Sequence, residues 1–207
     1  MNPERPPVKD PHNVYITTNS GIKFKILNPS RDDIDIKDIA HSLSGKNRWN
    51  GHADKSFTVG EHSILMAKTA KDLGYPSEII LQCLLHDASE AYMVDMPTPL
   101  KILMPNFIEM ENRISTAIAR KFNYPEKMDN RTHLLDQLSL FEEGLALFNT
   151  PLEWVKERKD SLLNGENSLE NVKAAGVMGK NFRALLKEDL NRQKIKKRFL
   201  NIFDDNF

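Results

Sequence analysis

The segment over residues 83–101, CLLHDASEAYMVDMPTPLK, places a His-Asp pair directly after an apolar run. This pair is the strongest constraint on the fold, because a charge in an apolar interior is costly unless it is paired or bound to a metal. Asp87 therefore needs a partner, either a divalent cation or an arginine. A His-Asp pair alone is more often structural than metal-binding. In the structural arrangement Asp87 forms an ion pair and His86 is an ordinary core histidine.

The composition is that of a globular protein without a charge bias. A chain of 207 residues is long enough for one domain with an appended region. Its 29 basic and 29 acidic side chains cancel, so net charge directs the chain toward neither nucleic acid nor membrane. The single cysteine, Cys83, cannot form an internal disulfide. The chain has no signal-peptide core and no apolar run of the ~18 residues that span a membrane, so we expect a cytoplasmic protein without a membrane partner.

Three regions are predicted along the chain. Residues 1–33 form an N-terminal arm with a β-hairpin, residues 34–150 the main helical domain, and residues 151–207 a C-terminal helical extension, with Pro151 at the change of character. Apolar side chains of the extension are expected to pack on the body or on a second subunit of a homo-oligomer: Leu185, Leu190, Phe199 and Leu200. The basic stretch NRQKIKKRF then forms a solvated helix face, and we do not expect nucleic acid as a partner.

The hairpin is the one strand signal in the sequence. Val14 and Ile16 alternate with polar residues before an Asn-Ser-Gly turn signal, and we expect them to face Ile22, Phe24 and Ile26 after it. The rest of the chain has helical periodicity, so we expect an all-α fold.

Helix boundaries are indicated by capping residues. Thr58 and Glu61 have the spacing of a capping box, and Ser77 is the expected cap of the next helix. Apolar spacing predicts helices within residues 34–44 and over residues 59–73, 78–92, 107–122 and 132–148.

Ligand-type side chains recur on three of these helices. His86, Asp87 and Glu90 share one edge of the helix over residues 78–92. His62 lies on the preceding helix, and Asp136 is set among leucines on the last. Two imidazoles and two carboxylates suit a divalent ion such as Co, Mn, Zn, Fe or Mg, with room for water and a substrate oxygen. We therefore expect one divalent metal ion at His62, His86, Asp87 and Asp136.

The order of these residues resembles the H…HD…D signature of the HD-domain metal-dependent phosphohydrolases. The run LLHDASEAYMVDMPTPLK resembles the segment of bacterial HD-domain 5'-deoxyribonucleotidases in which a Glu lies three residues after the HD pair and an Asp-x-Pro-Thr-Pro run follows. NRWNGH…FTVGEHS resembles their Arg-Trp pair before the first metal histidine. DIAHSLS and GH are similar to the branch that includes phage phosphohydrolases acting on deoxyadenosine triphosphate. The resemblance covers about residues 34–148.

The resemblance implies an HD-domain helical fold and a role for each matching residue. The four candidate ligands would bind the metal, and Glu90 would handle a proton. Arg48 would hold phosphate, Trp49 would lie against the sugar or base, and Asp95 would bond a sugar hydroxyl. The guanidinium of Arg48 is a planar fork that suits phosphate oxygens.

Three further residues are weaker candidates for substrate contacts. Lys101 offers a compact second charge after the Pro-Thr-Pro run. His52 follows Gly51 in a polar loop and is a substrate-binding candidate. His41 lies beside apolar residues on a short helix, where a capping or core role competes with phosphate contact.

The expected function is metal-dependent hydrolysis of the 5' phosphoester of 2'-deoxynucleotides, which would be small-molecule partners of the protein. One alternative is a triphosphohydrolase that releases deoxynucleoside and triphosphate from a deoxynucleoside triphosphate. A second is a degenerate HD module that binds a nucleotide as a sensor. The complete ligand set, together with Glu90, speaks against the sensor.

Overall fold

The computed structural model describes residues 13–150 and 152–207. The first twelve residues of the predicted arm, and Pro151 at the predicted boundary, lie outside the described residues. The described chain has an all-α fold with one small β-hairpin, which confirms the predicted fold class.

The hairpin is antiparallel and rests on the first helix. Ile16 lies opposite Phe24, and the Phe24 side chain is fully buried. The backbone N–H and the hydroxyl of Ser20 both donate to the carboxylate of Asp38, which fixes the turn against the body. Val14 was predicted to face the same side and is instead exposed. The strands are β1 (Tyr15–Thr17) and β2 (Lys23–Lys25).

Nine α-helices follow in the described residues, and none of these has the length and apolar character needed to cross a bilayer. The capping box of Thr58 and Glu61 is present at the start of the second helix, as predicted. The helices are α1 (Ile36–Leu43), α2 (Val59–Asp72), α3 (Ser77–Leu85), α4 (Thr98–Ile102), α5 (Pro105–Lys121), α6 (Asn130–Ala146), α7 (Glu153–Asn164), α8 (Ser168–Leu185) and α9 (Arg192–Asp204).

The prediction of one continuous helix over residues 78–92 is wrong. Helix α3 ends at Leu85, and a 3₁₀ turn over Ala88–Ala91 follows. The cause lies at the junction, where Asp87 adopts φ −97° and ψ 14°. A regular helix would hold His86 and Asp87 about 100° apart, whereas the break brings their ligand atoms together. The predicted cap was also wrong, because Pro76 is the N-cap and Ser77 is the first helical residue.

Helix α2 lies at the centre of the fold and packs against α3, α6, α8 and α9. Helix α8 covers α2 and α6, and α9 covers α1 and α2. Leu185 and Phe199 of the extension are buried, and Leu190 and Leu200 are half-buried against the same core. The extension thus packs on the body of its own chain, and the core holds the site-bearing helices in place.

Candidate metal centre

The four predicted ligands come from three places in the fold. Helix α2 carries His62, the end of α3 carries His86 and Asp87, and α6 carries Asp136. The two Nε2 atoms lie 3.1 Å apart. Asp87 Oδ2 is 3.1 Å from His86 Nε2 and 3.6 Å from His62 Nε2. These three residues offer ligand atoms within 4.8 Å of one another, so they form a candidate metal-binding triad.

Asp136 lies against this triad and is the most accessible of the four side chains. Its Oδ1 is 3.4 Å from His62 Nε2 and 3.8 Å from His86 Nε2, and 37% of the side chain is exposed. The structure therefore brings all four predicted ligands to one place. The exposed part of Asp136 marks a side from which solvent reaches the cluster.

The hydrogen bonds of the two histidines fix which ring nitrogens face the cluster. His62 Nδ1 lies 2.8 Å from Glu143 Oε1, and His86 Nδ1 lies 3.0 Å from the carbonyl oxygen of Cys83. Because both partners only accept, each Nδ1 carries the proton and each Nε2 is left to bind a cation. Two lone pairs and two carboxylates around one point require a positive charge, so this donor set fits a divalent ion.

The pKa of His62 also indicates that the cluster stabilises positive charge. Burial and the neighbouring Arg48 oppose the charged imidazole, but hydrogen bonds to Asp136 and Glu143 prevail and raise the pKa of His62 to about 9. For Asp87, burial is outweighed by His86, His62 and Arg48, which hold the pKa of its carboxyl far below the ordinary value. The cluster is built to stabilise a cation.

Glu143, which sequence reasoning missed, organises the site from beneath. It is fully buried, and its carboxylate accepts hydrogen bonds from His62 Nδ1 at 2.8 Å, Arg48 Nε at 2.9 Å and Trp49 Nε1 at 2.9 Å. Burial would raise the pKa of Glu143, but Arg48 and His62 lower it, so the carboxylate stays ionised. The available signal was its position seven residues after Asp136, two turns along the same face of α6.

Arg48 lies inside the site, as the resemblance implied. Its guanidinium is nearly buried, and its Nη1 is 3.4 Å from Asp87 Oδ2. Nη2 makes no hydrogen bond within the described residues. The surrounding carboxylates, Glu143 above all, outweigh burial and raise the pKa of Arg48, so this fork keeps its charge beside the metal ligands.

Trp49 is held in an unusual backbone conformation. Its φ is +58°, and Asn50 and Gly51 also have positive φ. A bulky residue there is strained by about 1–3 kcal/mol and persists only when its surroundings determine it. The indole donates to Glu143, and its ring lies edge-on to Phe148, with centroids 5.1 Å apart. The strain and the contacts together fix an aromatic wall beside Arg48.

Glu90 and Asp95 add two more carboxyls close enough to Asp87 to interact with its charge. Glu90 is buried, and its Oε2 has no hydrogen-bond partner within the described residues. Burial and the charges of Asp87 and Asp95 raise the pKa of Glu90 well above its ordinary value. Burial and Asp87 also raise the pKa of half-buried Asp95, against the opposing effect of Arg48. Glu90 is thus placed to carry a proton.

The last two predicted substrate residues are less directly placed. Lys101 lies on α4, and its ammonium is paired with Glu111 at 2.8 Å, although Glu90 and Asp87 are near enough to affect its pKa. His52 has an exposed side chain in the loop after Trp49, and no polar contact joins it to the cluster within the described residues. The structure therefore does not bring His52 into the site.

Replacing Glu143 by glutamine is expected to weaken metal binding about 10–100-fold, the usual cost of losing an outer partner of a metal-binding histidine. An amide can accept from only one side and donates from the other, so it cannot serve His62, Arg48 and Trp49 together. Isothermal titration with a divalent ion measures the effect. Glu142→Gln is the matched control, because Glu142 pairs with Lys159 instead, and equal weakening in both variants would contradict the assignment.

Fold and site together define an all-α protein with a candidate metal centre formed by α2, α6 and the junction after α3. No protein-family model matches the chain. The chain is 36% identical to the uncharacterized protein YfdR of Escherichia coli K12 over 129 residues, which cover 62% of this chain and 70% of YfdR. It is also 36% identical over 111 residues to an uncharacterized protein of Rhodobacter capsulatus, covering 51% of this chain and 57% of that protein. The chain belongs to the family of YfdR.

Proposed function

We propose that the protein is an HD-domain phosphohydrolase that cleaves the 5' phosphoester of 2'-deoxynucleotides. The observation that carries this proposal is the convergence of the four ligand residues, in the chain order H…HD…D, with a charged arginine against them. Arg48 Nη1 lies 3.4 Å from Asp87, and the turn after Asp87 carries the buried Glu90. A candidate phosphate-binding group and a candidate proton carrier thus flank one donor set.

In this proposal Arg48 would hold the phosphate, and the four ligands would hold the ion that activates a water nucleophile. A divalent ion held by the four ligands would polarise a phosphoryl oxygen and lower the pKa of water toward neutral. Arg48 donates from Nε to Glu143 and from Nη1 toward Asp87, and its Nη2 is left to bind a phosphate oxygen. Because Glu143 also fixes His62, the phosphate-binding group and the metal ligand are held in one frame.

Proton transfer to the leaving group is assigned to Glu90. Cleavage of a 5' phosphoester requires a proton on the departing 5' oxygen, and a carboxyl with a raised pKa is suited to donate it. Burial and the charges of Asp87 and Asp95 produce this raised pKa. Asp95, half-buried beside Glu90, is assigned to a sugar hydroxyl.

Analysis of products from a panel of deoxynucleoside mono-, di- and triphosphates, each with Co, Mn, Zn, Fe and Mg, tests the proposal. We expect a monophosphate to yield deoxynucleoside and inorganic phosphate on chromatography. Release of intact triphosphate would instead assign the triphosphohydrolase alternative. Nucleotide binding without turnover in any ion would assign the sensor alternative.

Replacing Trp49 by alanine is expected to relax selectivity for 2'-deoxynucleotides over ribonucleotides. A rigid aromatic wall excludes an added hydroxyl by shape, and such discrimination amounts to about 1–3 kcal/mol in a pocket. The ratio of kcat/KM for the two sugars measures it. Trp154→Ala is the control, because Trp154 is a neighbouring, 40% exposed tryptophan of α7. Equal kcat/KM of the wild-type protein on both sugars would refute the wall.

A further inference from the structure

A second cavity lies next to the turn that carries Glu90. It is an open cleft with a volume of about 380 Å³, bordered by the hairpin, α1, the loop after α1, the start of α9, and residues 91 and 92. None of the candidate metal-site residues lines it. The arm and the extension both contribute to this cavity, and the proposed function gives neither of them a role. The volume of the cavity is in the range of small-molecule sites.

The lining of the cavity is cationic. Its cations are Lys46 and Arg192. His41 also lines the cavity, and burial, Arg192 and the nearby Lys196 lower the pKa of His41, which favours its neutral imidazole. The carboxylate of the lining is Asp38, and both of its oxygens are taken up by the backbone N–H and hydroxyl of Ser20. An anionic ligand therefore meets net positive charge.

Arg192 is held in a position to bind an oxyanion. Its Nη2 donates to the carbonyl oxygen of His41 at 2.9 Å. Its guanidinium lies so close to Gly45 that an added Cβ would be 2.8 Å from the guanidinium carbon, so a side chain at residue 45 would displace the guanidinium from this position. The other guanidinium nitrogens make no hydrogen bond within the described residues. A planar group of free N–H donors matches the oxygens of a phosphate.

Lys46 connects the cavity with the candidate catalytic turn. Its stem lines the cavity, and its ammonium donates to the carbonyl oxygens of Glu90 and of Met93, the latter at 2.7 Å. Ala91 and Tyr92, between these two residues, line the cavity as well. A ligand in the cavity therefore contacts the same segment that positions Glu90.

We propose that this cavity is a second binding site, for a phosphate monoester of nucleotide size, and that its occupancy stabilises the segment over residues 88–93. The volume accommodates more than a free phosphate ion, and Arg192 of α9, with His41 of α1 beside it, supplies the phosphate-binding end. The site is distinct from the metal centre and does not depend on the proposed hydrolysis.

Binding of a deoxynucleoside monophosphate to the whole chain in chelator tests the proposal, because hydrolysis is then prevented. We expect Arg192→Ala to weaken this binding about tenfold or more, the loss for one charged hydrogen bond, and His41→Gln to weaken it less. Lys197→Ala, which removes an exposed charge on the same helix outside the cavity, should bind as the wild type does. Unchanged binding in Arg192→Ala would overturn the site.

Two further arms identify the ligand and test the link to Glu90. The deoxynucleoside without phosphate should bind far more weakly than the nucleotide. If inorganic phosphate binds as tightly as the nucleotide, the cavity recognises the free ion and not a phosphate monoester. Hydrogen exchange should slow over residues 88–93 when the nucleotide is bound to the wild type, but not in Arg192→Ala. Unaltered exchange at saturation would overturn the link. Failure of the proposed hydrolysis leaves all these measurements unaffected.

Discussion

Replacing His86 or Asp136 by alanine is expected to abolish stoichiometric metal binding, and all turnover with it. Each variant removes one of four donors around a single point, where the two Nε2 atoms lie 3.1 Å apart. Loss of a direct ligand should weaken binding by more than the ~10–100-fold that loss of an outer partner costs. Metal content after dialysis and isothermal titration measure the loss. The Asp136 side chain is 37% exposed, so Asp136→Ala should keep the fold, whereas the His86 side chain is only 2% exposed; circular dichroism checks the fold of both variants.

Matched controls separate a ligand from a merely nearby residue. His133→Ala removes an exposed histidine from α6, the helix that carries Asp136, and should leave metal content unchanged. An Asp136→Ala variant that still binds one ion with wild-type affinity and turns over normally would exclude Asp136 from the ligand set. The same result for His86→Ala would remove the basis of the metal centre.

The elements that were predicted correctly are those whose signals are local. The capping box of Thr58 and Glu61 sets the start of α2 through contacts three residues apart, so the position of His62 on this helix followed from sequence. Helix α1 lies within the predicted segment over residues 34–44, because its apolar spacing coincides with its buried face. The hairpin was found because a turn signal separates two alternating runs, and Phe24 is buried as its pattern requires.

The parts that were missed depend on contacts between distant residues. The helix break at His86 has no Gly or Pro to signal it, and it is explained by the cluster that Asp87 joins. Glu143 lies 95 residues from Arg48 and sits in the sequence beside Glu142, where the pair reads as an ordinary charged helix face. Full burial of Glu143 and only partial burial of Glu142 are decided by packing, which a local pattern does not contain.

Only some of the predicted substrate-binding residues lie in the site, and contacts between distant residues again explain the difference. Arg48 and Trp49 reach the site because Glu143 holds both side chains. His52, only three residues after Trp49, lies on an exposed part of the same loop, since Trp49, Asn50 and Gly51 all turn the backbone through positive φ. Two of these are not glycine, so the turn was not evident from residue types.

Replacing Glu90 by glutamine is expected to lower turnover by about 10²–10⁴-fold while fold and metal binding are retained. The carboxyl is buried beside Asp87 and Asp95, and its raised pKa favours the neutral, protonated form. Glutamine is neutral and similar in size, so the substitution should cost little stability. It removes the one property that the proposed reaction requires of Glu90, the ability to release and take up a proton.

Measuring kcat and metal affinity in the same preparation distinguishes this role from a structural one. Glu78→Gln, at an exposed position in the first turn of α3, is the control and should have wild-type kcat. A substrate with a strongly acidic leaving group needs no proton from the protein, so it should restore much of the rate in Glu90→Gln. If kcat of Glu90→Gln is nearly that of the wild type on ordinary nucleotides, Glu90 is a structural residue and the leaving 5' oxygen takes its proton from another group.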